Sequence, residues 1–94
     1  MLEIEKREEG LIALVGRLDA SQSPKAEEYL DGIEGSLRID VSQLEYISSA
    51  GIGILLKTYK RLQETGCTMK LVEPNPHVKN VFHYAGLAQV MGIE

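Results

Sequence analysis

Two serines stand side by side at Ser48-Ser49, and Ala50-Gly51-Ile52-Gly53 follows them directly. Upstream, Leu37, Ile39 and Val41 alternate with Arg38 and Asp40, the period-two pattern of a strand with a buried face. Downstream, Ile52, Leu55, Leu56, Tyr59 and Leu62 recur at helical spacing, while Lys57, Lys60, Arg61 and Gln63 fall on other faces. Gly66 suits the left-handed position just past a helix end. The serine hydroxyls therefore belong where a helix begins, beside unpaired N–H groups and the positive end of the helix dipole. Two kinds of chemistry fit that place. A serine can cap the helix by accepting from the amide two or three residues on, the ordinary fate of a bare Ser-Ser pair. Alternatively, the hydroxyl can carry a phosphate, which the same amides would stabilise. Residue types alone leave both open.

Other reactive groups point to little catalysis. A hydrolase nucleophile elbow needs Gly-X-Ser-X-Gly, and Ile47 occupies the place of its first glycine before Ser49. A base is also required, and His77 and His83 lie on or near a later helix, where a surface or core-edge role is commoner. Gly51-Ile52-Gly53 does not extend into a dinucleotide fingerprint, because Leu56 stands where the third glycine belongs. These glycines fit better as points of close approach, to neighbouring backbone or to a partner. Cys67, His77 and His83 lack metal-ligand spacing, and Cys67 reads as a small apolar residue beginning a strand. No cofactor is implied. Asp19 and Asp40 read first as a loop residue and a strand-end residue.

Ninety-four residues make a single domain, spanning 1–94. The net charge is −4, with one Phe, four Tyr and no Trp. That balance excludes nucleic acid, whose recognition needs a basic patch, and disfavours anionic membrane surfaces. A basic protein groove is the more natural partner. One cysteine permits no internal disulfide and fits a reducing cytoplasm. No apolar run reaches the ~20 residues a membrane span requires, so no membrane insertion is expected. A monomer is the expected free state.

The elements that position the serines follow in chain order. Leu2 and Ile4 alternate with Glu3 and Glu5 in a half-buried, antiparallel first strand, and Leu11 to Val15 form an apolar, central second strand. Gly16 to Ser23 is a loop, with Ser23 as cap and Pro24 opening a helix whose stripe is Ala26, Tyr29, Leu30 and Ile33. The strand near Leu37 to Val41, the serine loop and the second helix come next. A strand near Met69 and Leu71 follows, then a helix capped by Asn75 and ended by Gly86, and an apolar tail from Ala88 to Ile93. Such alternation predicts an α/β domain with a mostly parallel sheet of four to five strands and about three helices. Loops after Val15 and Val41 then leave the same end of the sheet, which brings Asp19 near Ser49.

The stretch Asp40-Val41-Ser42-Gln43-Leu44-Glu45-Tyr46-Ile47-Ser48-Ser49-Ala50-Gly51 resembles the signature of the STAS domain of bacterial anti-sigma factor antagonists, and Gly16-Arg17-Leu18-Asp19 matches the Gly-X-Leu-Asp after that family's second strand. The resemblance implies a switch in partner exchange. The unphosphorylated domain binds an anti-sigma factor that is also a serine kinase, freeing the sigma factor. ATP-dependent phosphorylation ends the complex, and a serine phosphatase resets it. By this resemblance Ser49 is the phosphoacceptor, Ser48 stands where the motif often has Asp, and Asp19, Ser48, Ala50, Gly51, Ile52 and Gly53 are partner contacts. The family also supplies subunits of lipid-transport, anion-transport and stress-sensing assemblies, in which the serine need not be modified. A small serine hydrolase is the rival from another class.

Overall fold

In the computed structural model, which describes residues 1–94, the alternating N-terminus forms β1 (Leu2–Glu8) and turns at Gly10 into β2 (Leu11–Leu18). Then come α1 (Ser23–Asp31), β3 (Leu37–Asp40), β4 (Leu44–Ile47), α2 (Ser49–Glu64), β5 (Met69–Val72), α3 (Pro76–Tyr84), α4 (Leu87–Val90) and β6 (Gly92–Ile93). The sheet runs β1-β2-β3-β5-β6, with β4 also paired to β2. β1 is antiparallel to β2, and every other pairing is parallel. The expected α/β architecture, with β2 inside the sheet and an antiparallel N-terminal strand, is therefore present.

Several elements differ from expectation. β2 continues through Gly16 and Arg17 to Leu18, where a loop was expected. It does so because it gains a second neighbour on the side away from β1: β3 lies beside Leu11–Ala13 and β4 beside Gly16–Leu18. β4 is the strand hidden in the presumed serine loop. Its inside-out pattern was illegible because a register shift between Gly16 and Arg17 leaves Glu45 and Tyr46 both exposed between buried Leu44 and Ile47. The apolar C-terminal tail holds a short helix, α4, before a last edge strand, the two-residue β6, giving six strands and four helices.

Helix ends show why the chain turns where it does. Thr65 closes α2, Gly66 takes φ +80°, and the amides of Gly66 and Cys67 donate to Gln63 O and Leu62 O, the pairing of a Schellman motif. Asn75 caps α3 as expected: its Oδ1 accepts from Val78 N at 3.0 Å, and its Nδ2 donates to Leu44 O at 2.9 Å. One amide side chain thus starts α3 and anchors it to β4. α1 departs from expectation, since Ser23 lies inside the helix and donates its hydroxyl to Asp19 O.

The covered face of the sheet carries Leu2, Ile12, Leu14, Leu18, Leu37, Ile39, Val41, Leu44, Ile47, Met69 and Leu71, which share one buried cluster with residues from every helix. Side chains between them on the strands, including Glu3, Arg7, Arg17, Arg38 and Lys70, are exposed on the other face. The anticipated stripe of α2 is rotated: Gly51, Ile54, Leu55, Thr58 and Leu62 are buried, and Ile52, Leu56 and Tyr59 are half-buried. In α1, Ala26 and Leu30 are buried, but Tyr29 is exposed. Lys57 Nζ donates to Glu27 Oε2 at 2.8 Å and Arg61 to Leu30 O at 2.7 Å, so these cations tie α2 to α1.

Gly16 is the tightest point of the frame. Its φ is +103°, and a Cβ there would overlap Met1 O, which accepts from Arg17 N. Gly16→Ala is expected to lower unfolding free energy by on the order of 2–3 kcal/mol, combining the left-handed backbone cost with overpacking. A urea melt reads this directly.

Candidate functional site

β4 ends at Ile47, and the next residue joins three pieces of backbone. Ser48 N donates to Leu18 O at 2.9 Å, Ser48 O accepts from Ile52 N at 2.9 Å, and Ser48 Oγ accepts from Gly51 N at 3.2 Å. With φ −89° and ψ 170°, Ser48 is the N-cap of α2. The two chemistries open at Ser48-Ser49 are thereby divided between the serines. Ser48 is consumed by capping. Ser49 is the first helical residue, exposed, and its hydroxyl engages no partner in the chain. The amides of Ser49 and Ala50 have no carbonyl one turn back in the helix to receive them. No acidic residue occupies the first turn of α2, so nothing on the helix offsets the positive end of its dipole.

The two glycines have different roles. A Cβ at Gly51 would meet Leu18 Cγ at 2.8 Å, Ile47 Cγ1 at 2.9 Å and Leu18 O at 3.0 Å. Gly51 therefore lets the start of α2 lie against the ends of β2 and β4. Gly53 is exposed and has nothing within 4 Å of a Cβ position. Ala50 is exposed beside it, and Ile52 is half-buried. The residues singled out by the motif thus split: Ser49, Ala50 and Gly53 face outward, Gly51 faces inward, and Ser48 and Ile52 lie between.

Asp19 follows Leu18, whose carbonyl holds Ser48, so the β2–α1 corner and the start of α2 are adjacent, as the topology predicted. The Asp19 carboxylate is engaged locally. Oδ1 accepts from Ser21 Oγ at 2.7 Å, Ser21 N at 3.1 Å and Gln22 N at 3.2 Å. The Ser21 hydroxyl bond, helped by the Gln22 and Ser21 amides and the chain's α-amino group, holds its pKa below the usual carboxylate range against a smaller opposing desolvation. Asp19 is thus the effective cap of the turn entering α1, and Oδ2 has no partner in the chain. Asp40 is likewise used locally, accepting from Ser42 N at 2.8 Å where the chain jogs from β3 to β4.

Sequence reasoning missed one neighbouring pair. Arg17 and Tyr46 face each other across β2 and β4, with the guanidinium carbon 4.5 Å from the ring centroid. The signal was Arg at the variable position of Gly-X-Leu-Asp, but its aromatic partner became visible only with β4. His77 and His83 are both exposed on α3.

Fold and site together define a small α/β module that offers an unobstructed helix N-terminus carrying a free serine. Residues 2–93 match the family described as "Mlab, STAS domain", and the chain belongs to that family. It is 31% identical over 97 residues to BtrV of Bordetella bronchiseptica, described as an anti-sigma factor antagonist, covering 98% of this chain and 84% of that protein. Among solved structures, it is similar to an anti-sigma factor antagonist of Mycobacterium paratuberculosis (TM-score 0.82, 23% identity, 99% and 83% of the two chains). It is similar also to the Bacillus cell fate determinant SpoIIAA in its phosphorylated form (TM-score 0.71, 19% identity, 100% and 91%).

Gly51→Ala is expected to destabilise the fold by about 1–3 kcal/mol through overpacking. Gly53→Ala, an exposed helical site with room for the methyl, should stabilise it by roughly 0.8–1 kcal/mol. Chemical denaturation distinguishes the two. The depressed pKa of Asp19 makes its contribution to stability complete above the unfolded value of about 3.9. It is lost as pH falls from there through the lower folded value. Acid titration of Asp19→Asn should lack that share of the slope.

Proposed function

We propose that the chain is an anti-sigma factor antagonist, a phosphorylation-controlled binding module of the cytoplasm with no catalysis of its own. The observation that carries this reading is the division of labour at the serine pair. Ser48 closes the helix, which leaves Ser49 exposed, unbonded and seated on amides that can receive an anion. The names of the relatives support it, as does a phosphorylated form of the similarly folded SpoIIAA. Unmodified, the surface of Ser49, Ala50, Ile52 and Gly53, with Asp19 beside it, binds an anti-sigma factor that is also a serine kinase. Ser48 and Gly51 hold that surface in place. A serine phosphatase restores the binding form.

The switch follows from charge. A phosphate adds roughly −1.5 to −2 at neutral pH. On the free domain, the α2 amides and solvent accommodate it. In a docked interface it must lose water and face whatever the partner placed against a neutral hydroxyl. A mispaired interfacial charge costs on the order of 2–5 kcal/mol, or about 30- to several-thousand-fold in affinity. No change of fold is required.

Incubation with ATP and the anti-sigma factor kinase that binds the chain should place phosphate on Ser49, located by mass spectrometry. Calorimetry should show Ser49→Asp losing at least about 30-fold in affinity for that kinase. Phosphate on another residue, or equal affinity of the two forms, would overturn the reading.

A further inference from the structure

Ten lysines and arginines are present, and seven of them are occupied. Lys6, Arg7, Arg38, Lys57 and Lys70 pair with carboxylates. Lys25 and Arg61 donate to the carbonyls of Leu2 and Leu30. Three remain without an oxygen partner: Arg17, Lys60 and Lys79. Of these, only Arg17 is held in place, by the face of Tyr46 at 4.5 Å. A cation over a ring keeps its in-plane donors available and loses less freedom when it binds than a solvated side chain does.

Its position matters as much as its order. Arg17 immediately precedes Leu18, whose carbonyl anchors Ser48, and Tyr46 precedes Ile47. Leu18 and Ile47 both lie against Gly51 on the face of the sheet that α2 covers. Successive strand residues point to opposite faces, so Arg17 lies on the open face, turned from α2 and from its own Ser49. Tyr46 is 37% exposed there. A body gripping the end of the sheet would meet Ser49 on one side of this edge and Arg17 on the other.

We propose that Arg17, oriented by Tyr46, is a specificity-determining contact that receives a carboxylate of the anti-sigma factor. This rests on the reading of the chain as an antagonist. The occupant follows from charge complementarity. On a chain of net charge −4, a fixed and unneutralised guanidinium beside the docking edge selects an acidic side chain, which its donor fork can hold in bidentate fashion. A partner surface that is basic throughout would be repelled there, so the pair discriminates among otherwise similar anti-sigma factors.

Calorimetric titration of the serine kinase named above into wild type, Arg17→Gln, Arg17→Lys and Tyr46→Leu, at low and moderate salt, tests this. Arg17→Gln should weaken binding at least about tenfold and reduce its salt dependence. Arg17→Lys should recover only part of that loss, because the fork is gone. Tyr46→Leu should weaken binding less, and its effect should largely vanish in the Arg17→Gln background. Charge reversal of one acidic partner residue to lysine should rescue Arg17→Glu. Circular dichroism should show all variants folded, since both side chains are exposed. If wild type binds and Ser49→Asp is released, but Arg17→Gln stays within twofold of wild type, the inference fails while the proposed function stands. If Arg17→Gln alters only the phosphorylated form, the arginine serves the phosphate and the inference fails. If wild type does not bind at all, both readings fall.

Discussion

The contact between the end of β2 and the start of α2 sets the geometry of the candidate site in this molecule. The Leu18 carbonyl accepts from Ser48, and Gly51 lies so close to Leu18 and Ile47 that a methyl group would not fit. A helix held that near to two strand ends cannot slide or tilt without breaking the bond or opening a gap in a close-packed core. The position of Ser49 is thus inherited from the sheet. The serine is outside, but what holds it is inside.

This arrangement lets the site be rigid and exposed together. The cap bond and the glycine contact use Ser48 and Gly51, neither of which need touch a partner. Their neighbours Ser49, Ala50 and Gly53 take no part in those contacts. Exposed Gly53 costs helix stability relative to alanine and fills no internal need, which suits a surface approached closely from outside. Asp19 extends the principle: one oxygen shapes the turn into α1 and the other has no partner in the chain.

Much of the frame was legible from residue pattern. Alternation marked β1 and β3, the apolar run marked β2, and Asn75, Gly66 and Gly86 marked helix boundaries, because each of these signals is local. β4 was not legible. Its residues follow β3 after a short jog, and a bulge scrambles their inward and outward order. The extension of β2 to Leu18 was hidden for the same reason, since a strand cannot be seen where its partner is not. The buried face of α2 is broader than its apolar stripe, because Gly51 and Thr58, weak hydrophobic signals, are buried as well.

The amino-acid sequence by itself determined that a serine pair stands at a helix start on an acidic domain with a mostly parallel sheet, and its motif pointed to the family. Local chemistry suffices for that: caps, glycines and periodicity act over a few residues. Which serine is spent and which is free was decided only by tertiary structure. The answer depends on where the Leu18 carbonyl, at the end of a strand laid down far earlier in the chain, meets the Ser48 amide. That bond fixes Ser48 as the cap and turns the hydroxyl of Ser49 outward.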